Sequence, residues 1–448
     1  MMEQIEIGKS PIEFFDSVSD RDYAFFLDSG MSHDRLGRYS FIGYEPFMVF
    51  RSKGRAVEVI RDGKTEDIEA NPFDVLEGLL KDYRVDETEL PFTGGAVGFF
   101  GYDLKDMLYD LPQLAEDDIR MWDCVLGFYD SVLVFDHLEK KWYLTGCGFT
   151  DRDYGGEIER ASEFPGDKEE NSGGFAGYKS NFKKEEYLRT LKRVKEYIAA
   201  GDIYQANISQ RLEAEMMIES WELYKRLREI NPAPFAAFLN FGDIAVVSAS
   251  PERFFRVEGR RIETRPIKGT RPRGGDSEED KGLEKELLAS EKDKAEHVMI
   301  VDLERNDLGK VCEFGSIKVS EFEVIEGYST VFQMVSTVEG VLREDVSQVD
   351  CLRAMFPGGS ITGAPKVRAM EIIEELEPTK RGLYTGSIGY LGFNGNIDLS
   401  IVIRTFLVKD NRAYFQVGGG IVADSSPEAE YQETMDKAKA LIDSLQGE

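Results

Sequence analysis

The sequence predicts an α/β (α+β) fold built from more than one region. The first 150 residues read mostly as short β-branched and aromatic runs broken by polar turns. From about residue 181 onward, amphipathic helices alternate with strands. The chain is 448 residues long, which gives a soft expectation of about two or three domains, and its 42% hydrophobic content suffices for a large core.

Taken in order, strands are expected at Asp22–Asp28, Arg38–Gly43, Ala56–Arg61, Ala96–Tyr102, Tyr129–Asp136 and Lys141–Thr145. A helix over Pro72–Tyr83 interrupts them, with Phe73, Val75, Leu76, Leu79 and Leu80 on one face. The glycine-spaced string Gly94–Asp103 has a counterpart at Gly386–Phe393, either a short repeat or a coincidence of spacing. Residues 151–180 lose apolar periodicity and are dominated by glycine and charge, which reads as a solvent-exposed linker. The expected division is therefore a β-rich region over 1–150, a linker over 151–180 and a second region over 181–448.

The second region opens with a helix at Lys184–Ala200, striped by Tyr187, Leu191, Val194, Tyr197 and Ile198 and stopped by Gly201. A strand rich in amides and hydroxyls follows at Asp202–Arg211, then strands at Phe235–Asn240 and Ile244–Ser248. Ser277 with Asp280 makes a weakened capping box for one long helix reaching about Leu303. Glu296 falls on its apolar stripe with Ile300 and Leu303, so it is either a core edge or a functional carboxylate held in a cleft. The polar string Asp302–Gly309 is expected to end that helix as a turn.

Pro357–Lys366 is a glycine-rich turn into a helix over Lys366–Leu376, with Pro365 at the first helical position. Free backbone N–H groups there suit an anion. It is not a phosphate loop of Walker type, because Ala364-Pro365 stands where Lys-Ser/Thr is required. Gly418–Ala423 matches G-x-G-x-x-A, but Asp424-Ser425-Ser426 intervenes before the helix at Pro427, so a dinucleotide site is excluded. In the last helix, Pro427–Leu445, capped by Ser426, Glu430, Glu433 and Lys437 share a face. They form either a solvated face with a Glu433–Lys437 pair or two carboxylates aimed at one metal.

A net charge of −29 argues against nucleic acid. No apolar run approaches the roughly 18 residues of a membrane span, and the N-terminus lacks a signal-peptide pattern, so a cytoplasmic protein is expected. Cys124, Cys147, Cys312 and Cys351 are scattered, which favours reduced thiols over disulfides or zinc. With only His33, His137 and His297 available, any metal must be held by carboxylates and must be a hard ion such as magnesium.

Against this acidity stands a basic island. Glu252 to Arg273 holds eight basic residues and three acidic ones, Glu252, Glu258 and Glu263, which suggests an anionic small molecule. At its centre, in a loop rich in Pro and Gly (Arg265–Gly274), lies Lys268. It reads as a solvated lysine, an anion anchor or a nucleophile whose pKa Arg265 and Arg271 would lower.

Several long strings resemble the chorismate-utilising enzymes: Pro266–Gly274, Glu296–Asp307, Pro357–Met370, Ile401–Arg404 and Gly418–Glu433. The likeness is strong over about 180–445 and looser before it, through Leu27–Gly30, Gly37–Gly43 and Gly94–Asp103. It implies large, mainly antiparallel sheets stacked in a sandwich with flanking helices. It implies Mg2+ held by Glu296 and Glu433 with Glu430 close by, offsetting the ring carboxylate of chorismate. It places Tyr384 and Arg404 on the enolpyruvyl carboxylate, and Gly269, Thr270, Ser360 and Gly420 around the substrate. Asp28 and Ser29 are the candidate tryptophan-binding residues, although Leu27–Gly30 resembles the aminodeoxychorismate synthase branch more than the Leu-Leu-Glu-Ser string of tryptophan-regulated anthranilate synthases.

Within the family, a lysine at Lys268 resembles the aminodeoxychorismate synthase branch, where it is thought to attack C2 of chorismate before ammonia adds at C4. Anthranilate synthases usually carry alanine there, and a catalytic histidine where this chain has Gln333. Gln is neither acid nor base near neutrality, so elimination of pyruvate is not expected. No glutaminase elbow surrounds any cysteine, so the family implies ammonia from a separate glutamine amidotransferase subunit. The alternatives are anthranilate formation and a non-catalytic subunit that binds an aromatic ligand.

Overall fold

The computed structural model describes residues 2–30, 36–163, 175, 177–328 and 331–447. Two sheets of twelve strands each form the frame among these residues. The first runs Met2–Ile5, Lys141–Gly146, Ser131–Asp136, Tyr39–Gly43, Ala24–Asp28, Phe235–Phe241, Ile244–Ser250, Thr405–Lys409, Arg412–Ile421, Gln205–Glu215 and Tyr178–Ser180, with Gly363–Ala364 beside Gln205. The second runs Ile267–Pro272, Val331–Val341, Arg261–Thr264, Arg253–Glu258, Ile397–Ile401, Ser387–Gly392, Gly95–Phe100, Cys124–Tyr129, Met48–Lys53, Ala56–Arg61 and Lys64–Glu69, with Lys318–Gly327 beside Val331–Val341. The ladders around the site are antiparallel.

The sheets stack face to face, as the resemblance implies. Phe25, Phe41, Val134, Leu239 and Val246 of the first meet Phe99, Val125, Tyr129, Ile388 and Tyr390 of the second in one buried cluster. Each such side chain contributes roughly 1.5–3 kcal/mol of burial. The outer face of the second sheet is covered by helices Pro72–Asp82, Glu291–Gly309 and Gln348–Met355. Helices Ser220–Ile230 and Pro427–Gln446 cover the first, and Lys184–Ala200 and Lys366–Leu376 pack near Gln205–Glu215.

Strands from before residue 150 and after 181 share both sheets, so the expected division does not separate them. Part of the expected linker is ordered as a helix, Tyr154–Glu163, and a strand, Tyr178–Ser180; residues 164–174 and 176, like His33, lie outside the described residues. The run expected as one strand at Tyr129–Asp136 is split at Asp130, where the chain passes from one sheet to the other. The Asp130 carboxylate accepts the N–H groups of Phe149 and Thr150 at 3.0 and 2.8 Å and fixes that crossing.

The two glycine-spaced strings are neighbours: Gly95–Phe100 pairs with Ser387–Gly392, Gly98 opposite Gly389. A Cβ on Gly98 would lie 2.0 Å from the Val125 carbonyl, and one on Gly389 2.0 Å from that of Asp398. Close backbone approach therefore requires both glycines.

The long helix expected from Ser277 is two helices, Ser277–Ala289 and Glu291–Gly309. Ser290 is extended and caps the second by accepting the Asp293 N–H. Asp276, not Ser277, caps the first. Pro365 and Ser426 precede their helices as caps without a side-chain bond. The string Asp302–Gly309 stays helical because Glu304 and Asp307 find positions facing the interior. Among the described residues no helix is long and apolar enough to cross a membrane.

Candidate active site

Lys268 lies on a strand rather than in a loop. Ile267–Pro272 pairs at the edge of the second sheet with Val331–Val341, Lys268 opposite Met334. Gly269 makes a bulge there with φ +74°, and a Cβ on it would meet Leu287 at 2.8 Å. The bulge turns the lysine inward, while Thr270 beyond it is exposed. Lys268 Nζ reaches the Ser360 carbonyl at 3.5 Å.

Burial lowers the Lys268 pKa, opposed by the carboxylates of Glu296 and Glu252. The expected cause, Arg265 and Arg271, is corrected. Arg265 is bound to Glu326 at 2.5 Å, and Arg271 to Glu286 and Asp293 at 2.8 and 3.2 Å. The rest of the basic island is paired in the same way: Arg253 with Asp398 and Glu263, Arg260 with Glu313, Arg261 with Glu339, Arg273 with Asp280. It is an ion-paired strand region, not an open anion site.

Glu252 is a residue that sequence reasoning counted only as a charge. It is buried, and Ser360 Oγ donates to its Oε1 at 2.8 Å. Burial pushes its carboxyl above the ordinary glutamate value, against the Ser360 hydroxyl and Lys268. The available signal was its position in Ser250-Pro251-Glu252-Arg253, at the start of the island that holds Lys268. A carboxyl held above its ordinary pKa and an amine held below its own, both touching Ser360, are the pairing that an acid and a nucleophile require.

Glu296 comes from helix Glu291–Gly309, and Glu430 and Glu433 from Pro427–Gln446. Lys292 Nζ stands 3.9 Å from Glu296 Oε1 and 4.0 Å from Glu430 Oε1, so carboxylates from two helices converge on one positive charge. Glu433 is paired with Lys437 at 2.7 Å, and Lys437 also donates to the Gly418 carbonyl at 3.0 Å. Burial raises the pKa of Glu296. For Glu433 burial acts in the same direction, but Lys437, with Lys292 and Lys268, holds it below the ordinary value. Oxygen-only donors around a cation suit a hard divalent ion. Among the described residues no three acidic, His or Cys side chains already share one ligating point, because Glu433 is turned to Lys437.

Arg404 has φ +53° between Ile397–Ile401 and Thr405–Lys409, held by the Ala249 N–H on its carbonyl at 3.1 Å. Burial lowers its pKa, opposed by Tyr384 and Glu433. Tyr384 is buried and its phenol is shifted upward by burial, so it remains a neutral donor. A Cβ on Gly420 would lie 2.4 Å from Gln205 Nε2. Both amide atoms of Gln205, Asn207 Oδ1 and Gln333 Oε1 are buried without a partner. Gln333 sits opposite Thr270, one residue past the Lys268 bulge. Orphaned polar atoms of this kind mark a surface completed by a polar ligand. His297 shares a 2.6 Å bond with Ser336, and burial pushes its pKa down to about 4, so it is neutral.

Asp28 and Ser29 lie apart from this group, on a cavity of about 720 Å³ that also involves Arg38, His137, Arg253 and Tyr390. The Asp28 carboxylate accepts from Arg228 at 2.5 Å, Tyr224 at 3.0 Å and Ser40 at 3.2 Å. Ser29 Oγ donates to the Tyr39 carbonyl at 2.7 Å. Both polar groups are thus engaged inside the chain.

The chorismate-binding enzyme family matches residues 31–443. Anthranilate synthase component 1 of Acetivibrio thermocellus is 42% identical, over 98% of this chain and 93% of its own length. Aminodeoxychorismate synthase component 1 of Escherichia coli is 41% identical, over 97% of this chain and 95% of its own. The crystal structure of anthranilate synthase component I from Streptococcus pneumoniae superposes with a TM-score of 0.82 at 34% identity, covering 92% of this chain and 94% of that one.

Proposed function

This chain belongs to the chorismate-binding enzyme family, and we propose that it aminates chorismate at C4 as component I of an aminodeoxychorismate synthase. One observation carries the reading: Lys268 is an inward-facing amine, shifted toward neutrality, with the raised carboxyl of Glu252 next to it. Relatives named for both amination and anthranilate formation are similar to it at about the same identity.

The chemistry follows from those groups. The Lys268 lone pair forms a bond to C2 of chorismate, both ring double bonds shift by one position (C1=C2 to C1=C6, C5=C6 to C4=C5), and the C4–O bond breaks. Glu252 gives its proton to the departing hydroxyl, which leaves as water. Ammonia then forms the C4–N bond, both ring double bonds shift back, and the C2–N bond breaks with its pair returning to Lys268. The proton shed by the new C4 ammonium returns to Glu252. Chorismate and ammonia thus give 4-amino-4-deoxychorismate and water, with the enzyme restored.

Arg404 and Tyr384 would bind the enolpyruvyl carboxylate, since a guanidinium fork matches two oxygens. Glu296, Glu430 and Glu433 would hold Mg2+, which when bound offsets the charge of the ring carboxylate. The unpartnered Gln205 amide is placed to meet a polar reactant. Ammonia would come from a separate glutamine amidotransferase. A second reading, anthranilate with loss of pyruvate, draws on the anthranilate synthase relatives. Gln333 opposes it, because an amide supplies no proton at neutral pH.

The test is product analysis of the purified protein with chorismate, Mg2+ and ammonium at mildly alkaline pH. Aminodeoxychorismate without pyruvate supports amination. Anthranilate with equimolar pyruvate replaces it with the second reading.

A further inference from the structure

Glu304 is a buried titratable group that the proposed chemistry does not use. It lies on the inward stripe of helix Glu291–Gly309 with His297, Ile300, Asp307 and Leu308, and is 3% exposed. Asp307, one turn on, is fully partnered by Lys366 at 2.5 Å and Lys310 at 2.8 Å. Lys366 gives its other protons to the carbonyls of Met355 and Pro357, at 3.1 and 2.7 Å. Glu304 has only the Gly359 N–H, at 3.2 Å on Oε1; its Oε2 is buried without a partner. Burial, then the neighbouring Asp307, pushes its carboxyl up to about 8, so it is neutral at pH 7.

The Gly359 N–H opens the short turn Gly359–Ile361, and the next residue is the one that links the reacting groups. Ser360 donates its hydroxyl to Glu252 at 2.8 Å, and its carbonyl accepts from Lys268 Nζ at 3.5 Å. The far side of the turn is fixed by Arg381 on the Ile361 carbonyl at 3.1 Å and by the Asn207 N–H on that of Thr362 at 2.8 Å. On the near side a Cβ on Gly359 would come within 3.0 Å of Glu304 Oε1, so the contact is close.

We infer that Glu304 is a positioning residue for the proposed chorismate chemistry: its buried carboxyl, accepting the Gly359 N–H, seats the Gly359–Ile361 turn so that Ser360 meets Glu252 and Lys268 together. The inference rests on the amination reading. The charges facing Glu304 are Asp307 on its own helix, Lys366 from Lys366–Leu376 and Glu252 from the segment before Arg253–Glu258. Lys366 is already bound to Asp307, Asp307 repels a second negative charge, and Glu252 does so whenever it is ionised. Ionised Glu304 would bury an unpaired negative charge behind the turn. Its relief, water entry or movement of Gly359, shifts Ser360.

The test compares Glu304→Gln and Glu304→Leu with wild type in the full-length protein, following chorismate consumption with ammonium and Mg2+ from about pH 6.5 to 9.5. Rates are taken as ratios to wild type at each pH, which cancels the ionisation of ammonia. Glu304→Gln keeps an oxygen acceptor and is neutral throughout. Its ratio should be near one at pH 7 and rise to about tenfold at pH 9, where about one tenth of wild-type Glu304 keeps its proton. Glu304→Leu orphans the Gly359 N–H and should lose about tenfold or more in kcat with KM for chorismate little changed. A flat Glu304→Gln ratio overturns the inference even if Glu304→Leu is impaired or fails to fold, since a merely structural role produces that pattern. Wild type that consumes no chorismate at any pH overturns the amination reading and this inference together.

Discussion

Replacing Glu252 by glutamine isolates the proposed proton donor. The amide has the same size, and its oxygen can still accept the Ser360 hydroxyl now 2.8 Å from Oε1, so the turn and the strand Arg253–Glu258 should be kept. What is lost is the proton for the departing hydroxyl. A positioned general acid contributes ~10²–10⁴-fold, about 3–5 kcal/mol of barrier. The stability effect has the opposite sign. A glutamate whose folded pKa lies above its ordinary 4.5 binds its proton more tightly folded than unfolded. Stability is therefore fully present below that value and is lost as pH rises through the folded pKa. A permanently neutral amide escapes this loss. The Glu252→Gln Tm at pH 8 should be equal to or above wild type while kcat collapses, measured by thermal denaturation and by chorismate consumption on one preparation. A kcat within about twofold of wild type would refute the proton-donor role. A fall in Tm matching the fall in activity would show the carboxyl acting only in folding.

Lys268→Ala should abolish amination, and intact mass spectrometry of wild type with chorismate but no ammonia should show a dehydrated chorismate adduct absent from the variant. Gly420→Ala brings a Cβ to 2.4 Å from Gln205 Nε2; turnover should drop about tenfold or more, about 1.4 kcal/mol, with an unchanged circular dichroism spectrum. Lys366→Met leaves buried Asp307 with Lys310 alone, at 2.8 Å and half exposed, and should cost about 3 kcal/mol in urea unfolding, partly recovered by adding Asp307→Asn. EDTA should stop turnover and Mg2+ restore it, with Glu433→Gln shifting the Mg2+ needed for half-activity upward by about tenfold; undiminished turnover in EDTA would remove the metal from the reading.

Elements whose signals are local were legible in the order of residues alone. Helix Lys366–Leu376 follows from a stripe and a proline before it, and the end of Lys184–Ala200 from Gly201 in a left-handed turn at φ +83°. The long strings shared with the chorismate-binding enzymes brought Lys268, Glu296, Arg404 and Glu433 forward together, although periodicity left each of them open. Tertiary structure decided the rest, because the missing signals are non-local. Asp130 divides what reads as one β run, since each half finds its partners in a different sheet. The basic island is neutralised by carboxylates such as Glu326, Asp398 and Glu339, each about 60 to 145 residues away in the chain. Glu252 and Glu304 became chemical groups only on burial under one glycine turn. A pKa depends on solvent and neighbours in space, and neither is written in the order of residues.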